Sequence, residues 1–131
     1  MKFDVVIGNP PYQQDRENTS DKPVYNEFME RAYKLGKKVM LVTPGRFLFN
    51  AGRTPKEWNE KMLNDEHFKV VKYVSNSKEF FPDTDIKGGV AITYRDEDIK
   101  FGKIEVFTPF EELNLILKKL QSKTNIESTK R

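Results

Sequence analysis

Near the start of the 131-residue chain, Asn9, Pro10, Pro11 and Tyr12 follow directly on the apolar run Val5-Val6-Ile7 and Gly8. The two prolines fix φ and remove two backbone donors, and the first of them pushes Asn9 into an extended conformation. The Asn9 side-chain oxygen and the Pro10 carbonyl then face one point as two fixed acceptors, and a planar amine with two N–H donors fits between them. Accepting both hydrogens draws the nitrogen toward tetrahedral geometry and leaves its lone pair free to attack an electrophile. No general base need remove a proton before that attack, which suits a chain whose only histidine is His67. Tyr12 is placed to lie flat against the ring that carries the amine. The plainer reading is a Pro-Pro turn that ends a strand, with Asn9 bonding its own backbone. The strand, the Asn and the aromatic standing in register favour the amine site.

Two other stretches carry candidate chemistry: "PGRFLF" at 44–49 and "EFFPDTDIKGG" at 79–89. Arg46 and Arg53 are candidate phosphate contacts, set against the commoner solvated arginine, and Lys87 is a candidate base or phosphate contact. Phe80 and Phe81 read either as a hydrophobic plug under a loop or as stacking rings. Gly88 and Gly89 allow close backbone approach at a strand start. Trp58 reads as core and His67 as an ordinary surface residue.

The elements that must position these residues follow from the hydrophobic pattern. Phe3 to Ile7 is a strand whose consecutive β-branched residues suit burial on both faces. A helix is expected from about Pro23 to Leu35, with Val24, Phe28, Ala32 and Leu35 inward, Pro23 in its first turn and Gly36 at its stop. Val39 to Thr43 is a second buried strand. Thr54 as cap, Pro55 at the first helical position and Glu57 returning the capping-box bond announce a helix carrying Trp58, Met62 and Leu63 inward, ending near Asp65. Strands are expected at 68–75 and 90–94, and a short one at 103–107. A helix at 110–120 lines up Leu113, Ile116, Leu117 and Leu120, and the polar residues 121–131 read as a frayed tail. This order gives an α/β fold with a mostly parallel sheet and right-handed crossovers, the last loop-linked pair adding an antiparallel strand at one edge. In such sheets the ligand crevice lies beyond the carboxyl ends of the strands, where all three unusual stretches fall.

Composition bounds the partners. With 23 Lys and Arg against 20 Asp and Glu, the net charge is +3 and the pI about 9.0. That balance permits nucleic acid as a partner, although the charges are interleaved as on a mixed solvated surface. Hydrophobic residues are 37% and charged residues 33% of the chain, and ten Phe and five Tyr set it apart from disordered sequences. The absence of cysteine excludes disulfides and thiolate metal sites and fits a reducing cytoplasm, and a lone histidine excludes a histidine metal cluster. No apolar run reaches the ~18 residues of a membrane span and no leader opens the chain.

"DVVIGNPPYQ" resembles motif IV of the amino-group methyltransferases, which use S-adenosylmethionine to methylate exocyclic amines of bases. Some RNA and protein-glutamine methyltransferases share the tetrapeptide. The stretches "PVYNEFMERAYKL", "VMLVTPGRFL", "KMLNDEHFKVVKYVSNSKEFFPDTDIKGGVAITYRD" and "GKIEVF" resemble, in order, the catalytic domain of adenine-specific methyltransferases of type II restriction–modification systems, over most of 3–107. The resemblance implies the second half of a Rossmann-like S-adenosylmethionine-dependent methyltransferase fold, with 1–120 a partial catalytic domain and 121–131 a tail. It implies that Asn9 and Pro10, within the motif completed by Pro11 and Tyr12, bind the target amine, and that Tyr12 stacks on a flipped adenine of DNA. Phe81 in "FFP" matches the aromatic on the other side of the base, with Phe80 the alternative register. Flipping is required because the amine is inaccessible inside a duplex.

In that family a glycine-rich turn and an acidic strand end hold the methyl donor. Here Gly36, Gly45, Gly52, Gly88, Gly89 and Gly102 stand in other contexts. The expectation is therefore a fragment or split half of a DNA adenine methyltransferase, inactive alone. Its first strand would form an apolar edge that invites a partner chain or a second copy. A non-catalytic remnant acting as an interaction or weak DNA-binding module is the alternative, and an RNA or protein-glutamine methyltransferase a further one.

Overall fold

The computed structural model describes residues 2–10, 25–82, 86 and 88–129, with 122–129 as backbone alone. Among these residues the chain forms a four-stranded sheet in the order β1-β2-β4-β3. The strands are β1 (Phe3–Gly8), β2 (Gly36–Pro44), β3 (Phe68–Val74) and β4 (Val90–Asp96), and the helices are α1 (Tyr25–Leu35), α2 (Lys56–Leu63) and α3 (Glu111–Thr129). β1 pairs with β2 in parallel, while β4 runs antiparallel to both β2 and β3. β1, β2 and β3 therefore point the same way, so their carboxyl ends share one edge with the start of β4.

The antiparallel strand sits inside the sheet, not at the edge expected from the sequence. Composition explains the difference. β4 carries the apolar Val90, Ala91 and Ile92 to a position paired on both sides, whereas β3 exposes Lys69, Val71 and Lys72 as the outer strand, and lysines are what natural edges carry. β1 forms the opposite edge. Its Phe3, Val5 and Ile7 are 63%, 55% and 76% exposed, and Val6 turns inward onto the core.

The core lies between one face of the sheet and the helices α1 and α2. Val39, Leu41, Phe68 and Ala91 from the strands meet Tyr25, Met29, Ala32, Phe47, Trp58 and Met62. α1 buries Tyr25, Met29, Ala32 and Tyr33 instead of the expected stripe, and Phe28 and Leu35 stand largely exposed. The Tyr25-Met29-Ala32 spacing follows the helical period as well as the expected one does, and the larger Tyr25 and Tyr33 rings bury more area. Phe28 keeps a contact over β1, where a Cβ on Gly8 would come within 3.9 Å of its ring. Pro23 and Val24 lie outside the described residues.

α2 starts one residue later than expected. Pro55 has φ −58° and ψ 137°, so it is the residue that leads into the helix, not its first turn. Thr54 makes no cap and turns its hydroxyl inward. The expected strand at 103–107 does not form. Glu105 takes a φ of 63°, and its N–H donates to the Leu63 carbonyl at 2.9 Å. This segment closes the end of α2, with Ile104 and Phe107 against the core. The backbone of α3 continues past Leu120 to Thr129. The expected inward side of this helix is open in the described chain, with Leu113, Ile116 and Leu120 exposed. Asn114, which accepts from the Thr108 N–H at 2.8 Å, anchors its start. No helix among the described residues is long and apolar enough to cross a membrane.

Candidate functional site

The carboxyl ends of β1, β2 and β3 deliver the described residues of all three unusual stretches to one edge of the sheet. β1 ends at Gly8, paired with Leu41, and hands on an exposed Asn9 and a buried Pro10. Pro11, Tyr12 and Lys87 lie outside the described residues. β2 ends at Pro44 and passes through Gly45 into a 3-10 helix, Arg46–Phe49, whose Phe47 and Leu48 are buried in the core. The "RFLF" cluster is therefore mostly an anchor, and Arg46 is the member of it that stays half-buried at the edge.

The loop after β3 carries Phe80 and Phe81, both half-buried. Ser77 ties this loop together. Its carbonyl accepts the N–H of Phe80 at 3.0 Å and of Phe81 at 2.8 Å, and its buried hydroxyl oxygen accepts the Ile86 N–H at 2.7 Å. The far end is held by Gly88 and Gly89, both at positive φ. The Gly45 N–H donates to the Gly89 carbonyl at 3.0 Å, and the Tyr73 hydroxyl donates to the Gly88 carbonyl at 2.6 Å. A Cβ on Gly89 would stand 2.4 Å from the Val74 carbonyl oxygen, so only glycine fits this crossing. Sequence reasoning anticipated close approach at these glycines. It missed Ser77 and Tyr73, for which a lone Ser and a strand Tyr give no signal.

A second support lies under the 50–54 loop. Asn59, buried on α2, donates from Nδ2 to Asn50 Oδ1 at 2.8 Å and accepts at Oδ1 from the Thr54 hydroxyl at 2.6 Å. Burial pushes the Tyr25 hydroxyl above its ordinary range, against the opposing influence of Thr54 and Arg46 beside it. Arg53, in the same loop, is exposed. Trp58 is core: its ring packs 5.0 Å from Phe47, and its Nε1 donates to Glu30. His67 Nδ1 lies 2.8 Å from the Ile99 carbonyl, well away from this edge.

A cavity of about 370 Å³ opens at the opposite end of the sheet, lined in part by Lys2, Glu30, Lys61, Asp65, Arg95 and Glu97. Most of its charges are spent on one another: Lys2 pairs with Glu97 at 2.6 Å, Lys61 with Glu30 at 3.0 Å and Arg95 with Asp65 at 2.8 Å. Lys34 also lines it, but three of the four Lys and Arg side chains there are already paired with carboxylates. The candidate site is the loop-bearing edge, where Asn9 is presented to solvent and no described group needs an unusual protonation state.

The sequence matches the model of the Eco57I restriction-modification methylase family over residues 1–81. It is 30% identical, over 136 aligned positions, to an uncharacterized adenine-specific methylase of Mycoplasma pneumoniae. That alignment takes in the whole of this chain and 30% of the relative, so the chain spans under a third of the length of the curated protein it matches. No solved structure matches it.

Proposed function

The chain belongs to the Eco57I restriction-modification methylase family, and from that premise we propose that it receives the 6-amino group of a flipped DNA adenine for N6-methylation. The observation that carries this reading is the pairing of an exposed Asn9 with a buried Pro10 at the carboxyl end of β1, on the same sheet edge as the loop that holds Phe80 and Phe81, which follows β3 across the width of the sheet. The Asn9 Oδ1 and the Pro10 carbonyl each accept one amine hydrogen, which frees the nitrogen lone pair for attack on a methyl group. Pro11 stiffens the corner, and Tyr12 stacks on one face of the adenine. Phe81, or Phe80 in the alternative register, covers the other face, held by the Ser77 knot. Arg53 and Lys87 steady the strand through its phosphates.

The family's methyl donor is S-adenosylmethionine, and the described residues do not fit it. Space beside the glycines at this edge is filled: by the Tyr73 ring at Gly45, by the Arg46 side chain at Gly52 and Gly88, and by Val74 and Tyr73 at Gly89. Asp96, a carboxylate at a strand end, lies at the far end of the sheet and accepts from the Asp98 N–H and the Tyr94 hydroxyl. The part of the reaction derived from these residues is acceptor binding. The open edge and apolar face of β1 suit pairing with a partner chain, and a chromosomal substrate places the chain in the cytoplasm.

The test is methyl transfer from labelled S-adenosylmethionine to adenine-containing DNA, with any complementing chain present. Asn9→Ala removes one of two acceptors and lowers the rate about 100-fold, while DNA affinity changes little. An equal loss of rate and affinity would make Asn9 structural and overturn the reading.

A further inference from the structure

The side-chain stem of the half-buried Arg46 is held between two stretches of backbone. It passes between Gly52 and Gly88: a Cβ on Gly52 would meet Arg46 Cδ at 2.7 Å and Nε at 2.9 Å, and one on Gly88 would meet Arg46 Cβ at 2.6 Å. Any side chain at either glycine would displace the arginine. Both walls are themselves fixed. Asn59 pins the 50–54 loop on one side, and Tyr73 and Gly45 hold the Gly88–Gly89 turn on the other.

So firm a setting usually serves an ion pair, yet no described carboxylate pairs with Arg46, and its Nε is buried without a hydrogen-bond partner. The Tyr25 hydroxyl is the polar group beside it, and a neutral phenol does not balance a guanidinium. A buried donor without a partner is destabilising, and because Arg46 is only half-buried the rest of its guanidinium is within reach of an anion arriving from outside. The place matters equally, because Arg46 follows β2 directly on the edge where the neighbouring β1 presents Asn9.

We propose that Arg46, held between Gly52 and Gly88, is an anion site that takes a backbone phosphate of the DNA strand carrying the target base. This rests on the base-acceptor reading above and deepens it. The rigid fork of a guanidinium matches phosphate oxygens in a way that a lysine ammonium does not.

The experiment is anisotropy titration of the chain with a labelled single-stranded oligodeoxynucleotide over a series of salt concentrations, with a thermal melt of each variant. Arg46→Gln is expected to weaken binding about tenfold at low salt. It lowers the slope of log K against log salt by about 0.7, the value of one phosphate contact on a single strand. Its melting temperature holds, because no described ion pair of Arg46 is lost. Arg46→Lys keeps the slope and loses part of the affinity. An unchanged slope in Arg46→Gln, a melting temperature that falls in step with affinity, or no DNA binding by the wild-type chain would each overturn the proposal. Asn9→Ala separates the two claims. An unchanged methyl-transfer rate in Asn9→Ala, with the Arg46→Gln slope reduced, sinks the acceptor reading alone, and the reverse pattern sinks the phosphate site alone.

Discussion

Replacing Asn59 by Ala tests how the loop-bearing edge is supported. Asn59 is 2% exposed and links two groups, donating to Asn50 Oδ1 at 2.8 Å and accepting from the Thr54 hydroxyl at 2.6 Å. Two hydrogen bonds of about 1 kcal/mol each are lost, and the Thr54 hydroxyl, 5% exposed, is left with an added cost of about 1 kcal/mol. Asn50 is exposed and recovers its bond from water. The expected destabilisation is about 3 kcal/mol, which for a chain of this length lowers the melting temperature by about 10 °C. The assay is urea unfolding followed by Trp58 fluorescence, run as a cycle with Thr54→Val. Thr54→Val alone destabilises by orphaning Asn59 Oδ1, whereas in the Asn59→Ala background it is nearly neutral, for a coupling of about 1–2 kcal/mol. Additive effects, or a loss below about 0.5 kcal/mol for Asn59→Ala, would refute the claim that this chain of amides fixes the loop.

Gly89→Ala forces a Cβ to 2.4 Å from the Val74 carbonyl at a φ of 79° and should cost about 2–4 kcal/mol. The control Gly102→Ala meets nothing within 4 Å at a φ of 94° and should cost only the backbone strain, about 1 kcal/mol; equal melting temperatures would contradict the crossing described at Gly45 and Gly89. Asp96 is held below its ordinary carboxylate range chiefly by the Asp98 N–H, with the Tyr94 hydroxyl assisting against burial. A depressed carboxylate contributes stability above its unfolded pKa of about 3.9 that is lost as pH falls through the folded value. Urea midpoints taken across the acid range should therefore fall less steeply for Asp96→Asn than for wild type, and parallel curves would count against this. The exposed Phe3, Val5 and Ile7 on an open edge predict concentration-dependent association in sedimentation that Val5→Lys suppresses. A wild-type monomer at high concentration would contradict it.

Much of this edge was legible in the sequence because its signals are covalent and local. Prolines after a β-branched run, paired glycines before an apolar strand and Thr-Pro before a helix act over a few residues, and they mark the four strands of the sheet and the loops at one edge of it. What went unread depends on contacts far apart in the chain. The apolar run at β4 specifies a buried strand, but only its pairing with both β2 and β3 makes it interior. The face of α1 is decided by the depth of the Tyr25 and Tyr33 pockets, which periodicity alone does not distinguish from a stripe one residue over. Thr54 has the chemistry of a cap, and a buried amide five residues on outcompetes the helix N-terminus for its hydroxyl. Ser77 and Tyr73 hold the aromatic loop through backbone carbonyls, which accept from any donor and so leave no mark on composition.

The most direct test of the central claim, that Asn9 and Pro10 receive an exocyclic amine, needs no methyl donor. Binding is compared between two oligodeoxynucleotides that differ at one unpaired position, adenine in one and purine, which lacks the 6-amine, in the other. Two amine hydrogen bonds predict a preference for adenine of about tenfold, lost in Asn9→Ala. Equal affinity of the wild-type chain for the two strands would contradict the account.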